Sequence, residues 1–315
     1  MPDHLQMPSL DGATEWLNSE RLSPAELRGR VVVINFWTLT CINWLRQEPY
    51  VRAWWQAYRG DGLVVIGIHT PEFSFEHEID GVRQATRERG IDYPVAVDND
   101  YEIWTAFDNH YWPALHFVDA DGAIRDHHFG EGRYEQSERV IQRLLGVERE
   151  LVSVEGLGVE AEADWDHLRT PETYLGYGRG DRFASPETVA LDAPRRYELP
   201  APLRLNHWAL AGDWTIGREY VVLDRTGGSI AYRFRARDAH LVLSPGARQP
   251  IPFRVLLDGE APGRSHGADV DEEGNGLLDH GRLYQLVRQH DTVHERTLEM
   301  TFGKPAAEAY AFTFG

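Results

Sequence analysis

Two short runs of β-branched and aliphatic residues, 31–36 (VVVINF) and 63–68 (LVVIGI), set the strongest limit on what this chain can become. Between them they hold one polar side chain, Asn35. A strand with one wet face alternates apolar and polar residues, whereas an unbroken apolar run needs cover on both faces. The stretch between the runs supplies such cover. Residues 41–58 read as a helix on which Leu45, Tyr50, Trp54 and Tyr58 share a face, with Pro49 inside. Upstream, 23–28 reads as a short helix, with Ser23 as cap and Pro24 at its first position. Downstream come a charged helix over 79–89 that stops at Gly90, a strand over 93–97 and a short helix over 101–107. Two strands, 114–119 and 123–129, flank the turn DADG as a hairpin. A helix over 135–145 follows, with Val140, Ile141, Leu144 and Leu145 at helical spacing. This order predicts an α/β domain over 1–150, a mixed sheet covered by helices.

The character then changes. Residues 151–200 hold no long periodic segment and read as a linker. It is expected to be docked, because Trp165, Tyr174, Leu175, Tyr177 and Phe183 need burial. From 201 to 315 the pattern is strand-like: Ile230, Tyr232 and Phe234 alternate with Ala231, Arg233 and Arg235, as do Leu298, Met300 and Phe302 with their neighbours. Turn signals at Gly227-Gly228, Ser244-Pro245-Gly246 and Asp258-Gly259 punctuate an all-β sandwich of about eight strands.

Charge and composition exclude several roles. The 315 residues carry 32 Lys and Arg against 50 Asp and Glu, a net −18 that disfavours nucleic acid. No apolar run approaches the ~20 residues needed to span a bilayer, and the N-terminus lacks the basic start and apolar run of a secretion signal. A single cysteine excludes an internal disulfide and a cysteine-rich zinc site. His127 and His128 are adjacent in a strand, so their rings point to opposite faces and cannot chelate one ion. Residues 269–276 (DVDEEGNG) resemble half of a calcium loop, but Glu273 and His280 stand where the ligands should be Asp or Asn and Glu. A solvated acidic turn is expected there, and no metal or cofactor.

Cys41 falls directly after the first apolar run, at the start of the next helix. The free N–H groups and positive dipole end of a helix favour thiolate over thiol and lower a cysteine pKa from its usual ~8.5. A lone cysteine is otherwise a buried, inert residue. His69, just after the second run, is either a base or imidazolium beside Cys41 or a strand-end residue that hydrogen-bonds locally.

The segment FWTLTCINW (residues 36–44), with Pro49 eight residues past Cys41, resembles the active-site strand and kinked helix of thioredoxin-like proteins. It is most similar to the TlpA/DipZ-type branch, whose motif reads FWTYTCINC. GIHTPEF (67–73), YWPA (111–114), HHFGEG (127–132), TPETYLGYGR (170–179), LNHWALAGDWTIG and the terminal AYAFTFG carry the resemblance through nearly the whole chain. It implies a thioredoxin-like redoxin domain, a cis peptide at Pro113 facing Cys41, and a carbohydrate-binding-module-like jelly roll at the C-terminus. It also implies that Thr38, His69 and Trp112 neighbour the site. Trp208 and Trp214 become candidates for stacking on a carbohydrate ligand.

One departure alters the chemistry. Trp44 stands where the branch has its second cysteine, and no other cysteine can resolve a mixed disulfide. Three readings follow. Cys41 is a nucleophile whose mixed disulfide with a protein is resolved by an external low-molecular-weight thiol. Alternatively, the domain is a silent binding or scaffold module, with Trp44 and Trp112 crowding the old site and the β domain carrying recognition. Or the chain is a one-cysteine peroxidase, for which Thr38 and Cys41 satisfy T-x-x-C while Ile34 replaces the motif's proline. As written the chain is expected in the cytoplasm, where small thiols are available. If its N-terminus is incomplete, the extracytoplasmic side is expected, as for relatives of this type.

Overall fold

The apolar runs at 31–36 and 63–68 lie side by side in the structure, a computed structural model that describes residues 5–246 and 249–315. The chain divides into two units after Ala161. In the first, β1 (Glu15–Leu17), β2 (Val31–Trp37), β3 (Leu63–His69), β4 (Val95–Val97), β5 (Ala114–Val118) and β6 (Ile124–Phe129) form one sheet. Their order is β1-β4-β3-β2-β5-β6. β3 is parallel to both β2 and β4, while β5 is antiparallel to β2. The helices are α1 (Ile42–Tyr58), α2 (Ile79–Glu88), α3 (Glu102–Ala106) and α4 (Tyr134–Leu145).

Strand periodicity assigns the two faces of β2. Val32, Ile34 and Phe36 join Ile103 and Phe107 in one core. Asn35 and Trp37 point the other way, where they meet Gln47 and Trp44 of α1. A helix is expected over 23–28, but the segment is a series of turns. Ser23 and Glu26 do cap each other, yet Gly29, at φ +82°, leaves the helical region before a second turn can form.

The second unit is an antiparallel sheet of eleven strands. These are β7 (Thr173–Tyr174), β8 (Pro194–Tyr197), β9 (His207–Ile216), β10 (Val221–Leu223), β11 (Ser229–Phe234), β12 (Asp238–Pro245), β13 (Ile251–Leu257), β14 (Asn275–Leu278), β15 (Arg282–Arg288), β16 (Arg296–Phe302) and β17 (Ala307–Phe314). The main path runs β14-β13-β16-β11-β9-β10-β17-β12-β15, with β7 on β17 and β8 on β9. Phe253 of β13 and Tyr284 of β15 come from opposite ends of that path, yet their rings meet at 6.1 Å. The sheet therefore curls over itself and encloses one core, as a sandwich does. Two expectations of burial fail: Trp165 is 54% exposed and Tyr177 39%. Both sit in short turns, whereas Leu175 is buried and Phe183 packs on the core.

Candidate active site

Register brings three loops to one end of the first sheet. Trp37 is paired with His69 and Phe36 with Ala114, so the segments leaving β2 and β3 and the one entering β5 lie together. Thr38 to Thr40 leave β2, and the Cys41 N–H donates to the Thr38 carbonyl at 3.2 Å. Cys41 is the N-cap of α1, and its own carbonyl accepts the Leu45 N–H at 3.0 Å. The thiol is half-buried. No side-chain hydrogen bond caps the helix and no acidic residue stands in its first turn, so its positive end favours an anion. The Trp112–Pro113 peptide is cis, and the Pro113 carbonyl accepts the Gly130 N–H at 2.8 Å.

Trp44 does not cover this site. It is fully buried beneath α1, flat against Trp37, and donates its indole N–H to Asn35 Oδ1 at 3.2 Å. Asn35 Nδ2 donates to Gln47 Oε1 at 2.7 Å, and Gln47 Nε2 to the Gly130 carbonyl at 3.2 Å. A chain of uncharged groups thus ties the first turn of α1 to the loop that holds Pro113. Trp112 is half-buried against Trp104, centroids 4.3 Å apart, and donates to the Thr70 carbonyl at 3.1 Å. The expected crowding by both rings gives way to packing, because each indole finds an apolar partner and an acceptor inside the fold.

His69 departs from both of its expected roles. It is fully buried, edge-on to Trp37 at 4.7 Å, and neither ring nitrogen has a hydrogen-bond partner among the described residues. Burial, and then His77, lower its pKa to about 3. The ring is neutral at physiological pH and too weak a base to take a thiol proton. Gly67, two residues earlier, lets Trp37 settle there: a Cβ on it would stand 2.9 Å from the indole nitrogen.

Sequence reasoning missed three polar residues of this region. Asn35 and Gln47 form the chain just described. Glu76, fully buried in the turn before α2, accepts hydrogen bonds from Thr40 on one oxygen and from the Glu72 and Phe73 N–H groups on the other. Asn35 had a visible signal as the one polar residue of two apolar runs. Glu76 had none beyond its place shortly after the PEF segment.

In the second unit Trp208 and Trp214 are core residues and offer no face to a sugar. Both are buried, and their indole N–H groups are taken by the Asp181 and Ala211 carbonyls, each at 2.8 Å. The acidic turn is held by the protein itself: Asp271 accepts from Asn275, and Asp269 pairs with Arg282 at 2.8 Å. Among the described residues no group of three or more His, Cys, Asp and Glu is placed to hold a metal ion, and no helix is long and apolar enough to cross a membrane.

A mixed sheet with a cysteine capping α1 and a cis-proline at the same sheet end defines a thioredoxin-like α/β unit, here followed by an antiparallel β-sandwich unit. Comparison with known proteins divides the chain in the same way. Residues 5–127 match the AhpC/TSA family, and residues 170–315 match the family described as thioredoxin like C-terminal domain. The first unit is therefore similar to AhpC/TSA redoxins and the second to that C-terminal domain family, each match covering less than half of the chain. Protein DipZ of Mycobacterium tuberculosis is 37% identical over 245 residues, which make up 75% of this chain and 34% of that protein. The chain thus spans about a third of that relative's length. Thiol-disulfide oxidoreductase YkuV of Bacillus subtilis is 28% identical over 139 residues, 44% of this chain and 93% of that one. A solution structure of a thioredoxin-like protein in the oxidised form aligns with a TM-score of 0.43 at 29% identity, covering 47% of this chain and all of its own.

Proposed function

We propose that the protein is a thiol–disulfide oxidoreductase that works with one cysteine. The observation that carries this reading is Cys41 at the uncapped start of α1, at the sheet end that also bears cis-Pro113, in a chain without a second thiol. The Cys41 thiolate attacks one sulfur of a protein disulfide, forming the Cys41 mixed disulfide and releasing the other sulfur as thiolate. A low-molecular-weight thiolate such as glutathione then attacks the substrate sulfur of that mixed disulfide. Cys41 leaves as thiolate, and the substrate carries the small thiol as a new mixed disulfide, so two electrons and no net protons are exchanged at each step. Pro113 shapes the partner groove, and Trp44 holds the helix start where a resolving thiol would otherwise stand. The name of the relative YkuV supports the same reaction class.

The test is exchange between a disulfide-bonded peptide and glutathione, followed for wild type and Cys41→Ser. Acceleration by wild type that requires added glutathione and vanishes in Cys41→Ser is expected. Equal rates with and without wild-type protein overturn the reading, and so does a thiol that alkylates only after unfolding; either result leaves a binding or scaffold role. Consumption of peroxide in place of disulfide overturns it in favour of the peroxidase that the AhpC/TSA match and the Thr38–Cys41 spacing suggest.

A further inference from the structure

The first unit contains a buried acid beside the cysteine for which the exchange reaction has no use. We propose that Glu76 is a positioning residue for Cys41: its carboxylate bridges Thr40 to the turn after β3 and thereby fixes the loop from which the thiol attacks. The inference rests on the reading of Cys41 as the nucleophile. Its geometry is that of a bridge and not of a local cap. Oε1 accepts the Thr40 N–H at 3.1 Å and the Thr40 hydroxyl at 2.8 Å. Oε2 accepts the Glu72 N–H at 2.7 Å and the Phe73 N–H at 2.8 Å. Each oxygen serves a different segment, and Thr40 is the residue immediately before Cys41.

All four contacts use the carboxylate as acceptor. A protonated carboxyl turns one oxygen into an O–H donor: on Oε2 it meets only backbone N–H donors and competes with one of them, and on Oε1 it keeps its bond to Thr40 only if the Thr40 hydroxyl turns round to accept. Proton uptake therefore rearranges the bonding of Thr40 or of the 72–73 turn. Burial, and then the charge of Glu72, raise the Glu76 pKa to about 7, against the pull of the hydrogen bonds it accepts, so that the bridge would open and close near neutrality. The other groups facing it are few. Thr38 and Thr40 face it from the loop after β2, and Glu72, whose charge acts on it, from the adjoining turn; His77 lies next to it in sequence on its own turn.

The experiment compares wild type, Glu76→Gln and Glu76→Asp in two measurements between pH 5 and 9.5. One is the rate of Cys41 alkylation by iodoacetamide; the other is the backbone amide shifts of Thr40, Glu72 and Phe73 in labelled full-length protein. The three amides are expected to titrate together near pH 7 in wild type and to stay flat in Glu76→Gln. The wild-type alkylation profile is expected to carry an inflection at that same pH. In Glu76→Gln the inflection should vanish and the high-pH rate should fall about tenfold, the scale of one lost buried hydrogen bond. Glu76→Asp, shorter but ionisable, should retain an inflection. A folded Glu76→Gln with the wild-type profile overturns the proposal. Should that variant fail to fold, the wild-type amides decide alone, and the absence of a common midpoint overturns it. Amides that titrate together beside a thiol incapable of disulfide exchange overturn the oxidoreductase reading and leave the Glu76 bridge standing.

Discussion

Trp44 lies flat against Trp37, ring centroids 4.2 Å apart and planes 18° from parallel, with the Arg89 guanidinium 5.7 Å from the Trp44 ring centroid. The residue that replaces a second cysteine is thus a core residue joining α1 to β2. Its indole N–H is the only group in the polar chain through Asn35, Gln47 and Gly130 that belongs to an aromatic ring.

Trp44→Phe keeps the stacking surface and removes the donor, leaving the buried Asn35 Oδ1 short of a partner. A loss of about 1–3 kcal/mol is expected, read from urea denaturation of the first unit. Trp44→Ala adds a cavity and should cost about 3–5 kcal/mol. Equal stability for the two variants would mean that the ring alone matters.

Asn35→Asp places an ionisable group in that chain, fully buried and bonded to the uncharged Trp44 and Gln47 side chains. The folded-state pKa of such an aspartate is raised by desolvation, so the folded protein binds the proton more tightly than the unfolded chain does. The variant's stability relative to wild type should therefore be greatest below the unfolded aspartate pKa and decline as pH rises through the folded value. A difference that is flat from pH 4 to 8 would contradict this.

Burial of His69 predicts acid sensitivity of a definite sign. Its pKa falls from 6.5 to about 3, so between these values the folded state binds fewer protons than the unfolded one. The stability it contributes is present above pH 6.5 and lost as pH falls. Glu48 and Glu76, raised from 4.5 to about 7 chiefly by burial, act in reverse and lose their contribution as pH rises. His69→Phe removes only the first effect, so the variant should gain on wild type by on the order of 3 kcal/mol between pH 7 and pH 4. A constant difference across that range would show that the imidazole takes up its proton inside the fold.

Glu138 of α4 is the anchor of the segment that follows that helix. Its carboxylate accepts from Trp54 Nε1, from the Tyr58 hydroxyl and from the Val152 N–H. Glu138→Ala orphans all three donors and should cost about 3 kcal/mol or more, with faster amide exchange at Val152 than elsewhere in the unit. Unchanged exchange there would mean that the segment is held by its other contacts.

In the second unit, Trp208→Ala and Trp214→Ala should each destabilise the sandwich by about 3–5 kcal/mol, as deletions of fully buried rings do. Thermal unfolding would reveal the loss. Either substitution without a fall in stability would be incompatible with the packing described.

Much of the first unit could be read from periodicity. The apolar runs became β2 and β3 at nearly the expected bounds, and Cys41 stands at the start of α1, because buried strands and amphipathic helices write their environment into local composition. The cis state of Pro113 came from resemblance and not from any local signal. The alternating residues of the second half likewise announced a sandwich, but not its eleven strands, since β7, β8 and β10 run only two to four residues and carry too little pattern to detect.

The sequence by itself determined that a lone cysteine would follow a buried strand and that no second thiol could resolve it. Only the tertiary structure decided what the surrounding residues do. Trp44 and Trp208 are indistinguishable in type from exposed stacking rings, and His69 from a catalytic base, because a side chain's chemistry depends on what covers it. That cover comes from segments distant in sequence: β2 brings Trp37 to both Trp44 and His69, the turn after β3 brings Glu76 to Thr40, and the 181–183 loop brings Phe183 and the Asp181 carbonyl to Trp208.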